Sequence, residues 1–211
     1  MGAEILNEIS TNMNIAVQLH KELADAFWFI SMEGYAMLHE KQNIEEGIAA
    51  RRLRRYITST YHIAPTEVLP SGESSIAALT KGLSRKKLDT NTICDICEKC
   101  WNKHMDWEER SLRLYQDIAV RLFNDGEISA FNYVGGIIAD TKAEIAYVTN
   151  KVIELNGHDF DMAQITAEQP DYYERYSHLI SRLFSGRESV EKLHHWNSAL
   201  DQESRVVDAL V

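Results

Sequence analysis

The sequence is poor in the residues that punctuate or cross-link a chain. Its 211 residues include three prolines and three cysteines. At 45% hydrophobic content, with nothing to mark a linker, such a chain buries one sizeable core, so a single globular domain is expected. The cysteines, Cys94, Cys97 and Cys100, are too few and too close together for a disulfide framework, which fits a reducing compartment. Long apolar runs are missing too, and the first residues, Met1 to Asn7, have neither a basic region nor a hydrophobic stretch. No signal peptide or membrane span is therefore expected, and the expected location is cytoplasmic. Positive charge is scarce: 22 Lys and Arg face 32 Asp and Glu, a formal charge of −10. That balance opposes the counterion release that drives non-specific DNA binding, so nucleic acid is disfavoured as a partner. There is no Gly-x-Ser-x-Gly elbow, no phosphate-cradling glycine loop and no strand pattern to carry either, which excludes the common hydrolase and nucleotide-binding designs.

What is present is helical spacing almost throughout. Ile9, Ala16, Leu23 and Ile30 recur every seven residues, with Met13 and Phe27 interleaved. This predicts a first helix of about 28 residues and about 42 Å. A second runs from about Tyr35 to Tyr61, with Ile44, Ile48, Leu53 and Tyr56 inward, and stops before Pro65. The stretch from Thr66 to Asp89, with Pro70-Ser71-Gly72 and a short helical run from Ser74 to Leu83, reads as a long crossover. A third long helix is expected from about Asn91 to Phe123, with Ile93, Cys97, Cys100, His104, Trp107, Leu114 and Ile118 on one stripe, ended by Asn124-Asp125-Gly126. The fourth spans about Glu127 to Leu155, with Asn156-Gly157 as its stop. Two long hairpins joined by one crossover is the ferritin-like connectivity among four-helix bundles. The expected fold class is therefore all-α, a four-helix bundle over residues 1–157 with an added C-terminal helical extension over 158–211, packed on the same domain. In that tail, two shorter helical patterns from Asp171 onward break at Ser185-Gly186.

The junction of the first two helices carries a more specific signal. Trp28, Gly34, Tyr35, Leu38, His39, Glu40 and Lys41 resemble the corresponding segment of Dps-type miniferritins, and the resemblance covers about residues 5–157. It implies a homo-oligomer, a dimer or a larger shell, that binds iron, oxidises it and protects against oxidants. The departures are equally specific. The family's first histidine falls on Phe27, and its two downstream carboxylates fall on Arg54 and Thr58. Of the ligands that Dps proteins place at a two-fold interface, only His39 is matched, and Arg54 in place of an acid repels ferrous iron. A Dps-type interface site is disfavoured, and His39 is expected as a structural histidine at a contact between subunits.

A site inside the bundle can be argued from heights. Residues equidistant from the turn of an antiparallel hairpin lie at one level. Across the second hairpin, centred near Asp125, numbers summing to about 250 pair Glu108 with Asp140 and Glu144. Across the first, centred near Gly34, a sum of about 68 pairs Glu22 with Glu45 and Glu46. Acids from four helices at matched heights are what a dinuclear iron site requires. The second-helix Glu-x-x-His of ferritins is missing, since Ala49 follows Glu46 and Tyr147 follows Glu144 at that spacing. His104, one turn before Glu108, is then the nearby nitrogen donor, and His20 on the first stripe is expected to be a satisfied core histidine. The expected metal set is Glu22, His39, Glu45, Glu46, His104, Glu108, Asp140 and Glu144, with iron as the ion.

Three other features compete. Cys94-x-x-Cys97-x-x-Cys100-x-x-x-His104 contains zinc-type ligands, but on one continuous helix they spread over about 15 Å, so zinc at Cys97, Cys100 and His104 is disfavoured. The cluster Arg51-Arg52-Leu53-Arg54-Arg55 fits subunit salt bridges better than phosphate. Glu191-x-x-His194-His195 repeats a ferritin ligand spacing outside the bundle. Beside the iron-oxidising reading stand a metal-free structural or partner-binding assembly and a small metal sensor using the cysteine face.

Overall fold

The computed structural model describes residues 2–66 and 75–184. Four long helices dominate: α1 (Gly2–Phe29), α2 (Glu33–Tyr61), α4 (Thr90–Asn124) and α5 (Ile128–Gly157). Between α2 and α4 lie a one-turn helix α3 (Ala77–Thr80) and a 3-10 turn (Arg85–Lys87), and α6 (Met162–Phe184) follows α5. Among the described residues there is no strand. The fold is the ferritin-like four-helix bundle.

The heptad stripe builds α1 as expected, with Ile9, Ala16, Leu23 and Ile30 all buried. On α4 the phase differs. Trp101, not Trp107, is the wholly buried tryptophan, and Trp107 stays partly exposed under the Arg110 guanidinium. Asp89 opens α4 by accepting from the Thr92 amide at 2.7 Å, an N-cap that satisfies one of the helix's orphan donors. Gly126, at φ 76°, turns the chain into α5.

Helix directions follow from matched contacts. Asn12 of α1 donates to Ser111 and Tyr115 of α4, both at 2.9 Å, and Glu8 pairs with Arg121 at 2.6 Å, so these helices are antiparallel. The Tyr61 hydroxyl at the end of α2 donates to Glu127 at the start of α5 (2.9 Å), whereas Gln42 near the start of α2 meets Glu144 deep in α5. The connection between residues 62 and 89 therefore joins opposite ends of the bundle. Ile76, 1% exposed, and Arg85, bonded to the Ser31 hydroxyl at 2.8 Å, fasten its second half. Pro70-Ser71-Gly72 lies outside the described residues.

The α1–α2 turn is not where the glycine is. Ser31 takes the left-handed conformation (φ 64°) and the Met32 amide closes on the Phe27 carbonyl at 2.9 Å. Gly34 already lies in the first turn of α2, where a Cβ would collide with the Gln169 carbonyl oxygen and lie 2.7 Å from the Tyr172 Cβ. The glycine serves the close approach of α6. That helix starts earlier than Asp171 and carries Pro170 inside it. Its Gln169 side chain accepts from the Tyr35 amide at 3.1 Å, satisfying an orphan donor of α2. Ile165, Tyr176 and Ile180 add to the core.

Two hydrophobic clusters fill the ends of the bundle. One gathers Leu23, Phe27, Tyr35, Trp101, Val148 and Leu155 with α6. The other gathers Leu6, Ile9, Leu53, Ile57, Ile118, Leu122 and Val134.

Candidate metal centre

Between the two clusters the interior turns polar. His20, His39 and His104 are at most 1% exposed, and Gln42 and Glu108 are each 6% exposed. A cavity of about 140 Å³ opens here, lined by His20 of α1, Gln42, Glu45 and Glu46 of α2, Glu108 and Tyr115 of α4, and Asp140 and Glu144 of α5. All four long helices contribute because the stripes that bury hydrocarbon at either end carry polar side chains over two middle turns.

The imidazoles pack against one another. Ring centroids lie 4.9 Å apart for His20 and His104, and 5.0 Å for His39 and His104. His39 also stacks on Phe27 at 5.2 Å. The Nδ1 atoms of His20 and His39 are 3.2 Å apart, so one ring donates to the other and the two adopt complementary tautomers. His104 is different. Neither of its ring nitrogens makes a hydrogen bond, although the side chain is 0% exposed. Its Nε2 stands 3.6 Å from Glu108 Oε1 and 3.8 Å from Glu144 Oε1. His20, His104 and Glu108 offer one ligand atom each, all within 4.8 Å of one another. Gln42 donates to Glu144, which leaves its own Oε1 unbonded. Each buried unsatisfied group costs about 1–3 kcal/mol, so the four such atoms of His39, Gln42 and His104 in this layer favour a ligand that would compensate them.

Electrostatics point the same way. Burial, reinforced by Glu108, Glu144, Glu45 and Asp140, pushes the Glu46 carboxyl up to about 8. Burial also raises Glu45, Glu144 and Asp140, with Lys41, 2.6 Å from Glu45, and His104 pulling back on the first two respectively. His20 and His39 are driven well below the usual imidazole value, by burial first and by the other imidazoles next. Neutral imidazoles expose lone pairs, and crowded carboxylates ionise together only around a cation. Such a mixed nitrogen and oxygen set suits divalent iron, manganese or zinc. The residues fit a metal.

Of the acids expected from the sequence, Glu45, Glu46, Glu108, Asp140 and Glu144 converge on the cavity, with His104 beside them. Glu22 does not line it. It accepts from Gln18 at 2.7 Å on another face of α1, because the hairpin is centred at Ser31 and the matched numbers sum to about 60, as for His20 with His39 and Val17 with Asn43. His20 is the residue the sequence reasoning set aside. Comparing heights across α1 and α4, as well as within each hairpin, is the signal that finds it. His39 is 0% exposed inside one chain, behind His20, which corrects its expected place at a contact between subunits. Cys97 and Cys100 pack in the α6-end cluster, where burial raises both thiols, Cys100 to about 12, and Cys94 bonds the Phe160 carbonyl at 3.2 Å. Glu191, His194 and His195 lie outside the described residues.

No family model matches this sequence, and no curated protein matches it. Solved structures do. A form of the ferritin of Archaeoglobus fulgidus engineered to be closed shares 14% identity at a TM-score of 0.67, over 82% of this chain and 94% of that one. The open-pore ferritin of the same hyperthermophilic archaeon gives 13% and 0.67, over 82% and 98%. A PmFTN variant soaked in iron gives 11% and 0.64, over 80% and 96%. At these identities the likeness concerns the fold.

Proposed function

We propose that this chain takes ferrous iron as substrate in the mid-bundle cavity, oxidises it and sequesters it within a homo-oligomer, removing oxidants from the cytoplasm as it does so. The observation that carries the reading is His104, dry and unbonded, with Glu108 and Glu144 within 3.8 Å of its Nε2. His20 and His104 would supply nitrogen donors, and Glu46, Glu108, Asp140 and Glu144 the oxygens that favour the ferric product. With peroxide as oxidant, two ferrous ions give one electron each, and one peroxide with two protons becomes two waters. Glu46 can release a proton locally as the cation binds. The site lies within one chain, which supports a ferritin-type centre over the interface type of Dps proteins. The miniferritin-like residues of the α1–α2 junction serve packing here: Trp28 donates to Glu40 at 2.6 Å.

Anaerobic ferrous titration followed by peroxide is the test. The native protein is expected to oxidise iron stoichiometrically with a ferric absorbance, and Glu108→Ala with Asp140→Ala to abolish it. Unchanged oxidation in that double variant would overturn the assignment, and a monomer by light scattering would remove the sequestering shell.

A further inference from the structure

The donors around the cavity are not mixed evenly. The nitrogen atoms sit together on the side of the α6-end cluster: His20 lines the cavity, His104 stands between Trp101 of that cluster and the carboxylates of Glu108 and Glu144, and His39 packs against both imidazoles. Glu45, Glu46 and Asp140 share the cavity with Met13, Ala49 and Tyr115, which belong to the opposite cluster or pack against it. Glu108 and Glu144 neighbour both sets, since both approach His104 and both act on Glu46.

From this partition we infer that the centre holds two different cations: a zinc-class ion at a position made by His20, His104, Glu108 and Glu144, and an exchangeable ferrous or manganous ion at a position made by Glu46 and Asp140 with the shared carboxylates. The inference rests on the reading of the cavity as a metal site and deepens it. Three features of the chain carry it. First, a tetrahedral zinc ion with bonds near 2.1 Å holds its ligand atoms about 3.4 Å apart. The His104 Nε2 distances to Glu108 and Glu144, 3.6 and 3.8 Å, are close to that edge without a rearrangement of the helices. Second, His104 is wholly buried, has no other partner, and aims at the carboxylates. Third, the 3.2 Å contact between the Nδ1 atoms of His20 and His39 admits the tautomer in which His20 donates and its Nε2 keeps the lone pair, with His39 as the second-layer partner that ligating histidines commonly have. Late divalent metals prefer imidazole to carboxylate, whereas manganous ion prefers oxygen, so the two positions sort cations by donor chemistry.

Calorimetric titration of the metal-free protein with zinc alone, manganese alone, and manganese after zinc provides the test. One tight zinc equivalent is expected, then one manganese equivalent at least ten-fold weaker. His104→Gln should weaken zinc at least 100-fold and manganese less than three-fold, and Glu46→Gln with Asp140→Asn should do the reverse. Circular dichroism establishes that each variant is folded, and Gln at 104 keeps polarity and bulk for that reason. Equal loss of both metals in both variants, or zinc displacing manganese one for one, would overturn the inference while leaving an iron-binding cavity intact. Failure of the native protein to bind zinc, manganese or ferrous ion would overturn both this inference and the proposed function. Ferrous binding and oxidation with no zinc preference would overturn this inference alone.

Discussion

The two ends of the bundle and the imidazoles of its middle are equally buried and differently satisfied. At one end Leu23, Phe27, Tyr35 and Trp101 are all 0% exposed, the Trp101 indole nitrogen alone among them lacking a hydrogen-bond partner, and at the other Leu6, Ile9, Leu53 and Leu122 are 0% exposed too. In the layer between them His39 and His104 are also 0% exposed, yet three of their ring nitrogens have no hydrogen-bond partner. Burial stabilises the ends by the transfer of hydrocarbon out of water, and the same burial is a cost in the middle. The ends therefore hold the middle in place. A protein selected for stability alone would continue the hydrocarbon through all four helices.

The largest effect expected from this comparison is at an end. Leu53→Ala removes a side chain that is 0% exposed among Ile57, Ile118 and Leu122, and should cost about 2–5 kcal/mol in urea unfolding. A loss below about 1 kcal/mol would mean the end packs no better than a surface, and the contrast would collapse. The middle should respond with the opposite sign. His104→Leu replaces an unpartnered buried imidazole by hydrocarbon of similar bulk, so the metal-free protein should gain about 1–3 kcal/mol. The same variant should lose the rise in melting temperature that divalent cations give the native protein. If His104→Leu destabilises the metal-free protein, the imidazole has a structural partner and the functional account of the layer fails.

The part of this that was legible in the sequence is the part governed by local periodicity. Helix spans, the long crossover and the convergence of Glu108 with Asp140 and Glu144 follow from the stripe and from one short turn whose centre, Asp125 and Gly126, is where the composition puts it. The first hairpin misled because a glycine was read as the turn. Ser31 accepts the left-handed conformation instead, and Gly34 is spent on contact with α6, a tertiary demand that no local pattern records. A shift of three residues in the hairpin centre moves the matched partner by six residues, more than one and a half helical turns, which is enough to set Glu22 level with Glu46 when the cavity lies further along α1. The choice between Trp101 and Trp107 failed for a related reason, since a stripe on a 35-residue helix drifts in phase and both residues sit near its edge. The imidazole cluster needed contacts between α1 and α4, which are separated by most of the chain.

The smallest expected effect separates the middle from the ends by pH. In the folded chain the Glu46 carboxyl is lifted from its ordinary 4.5 to about 8 by burial and by Glu108, Glu144, Glu45 and Asp140. The native state thus keeps a proton that the unfolded chain has released, and stability of the metal-free protein falls as pH rises between those values. His20 and His39 act oppositely. They stay neutral in the fold while the unfolded chain takes up protons below about 6.5, so they add stability as pH rises toward 6.5 and nothing beyond it. Glu45, Glu144 and Asp140 are raised in the same sense as Glu46 and act with it. A cation that binds there must expel the Glu46 proton, so its apparent affinity should rise about ten-fold per pH unit, about 1.4 kcal/mol, and level off above 8. Manganese titrations at pH 6.5, 7.2 and 8 in the native protein and in Glu46→Gln measure it. The variant should show a flatter dependence, and a flat dependence in the native protein would mean that Glu46 is already ionised and that the acids are not crowded against one another in the absence of metal.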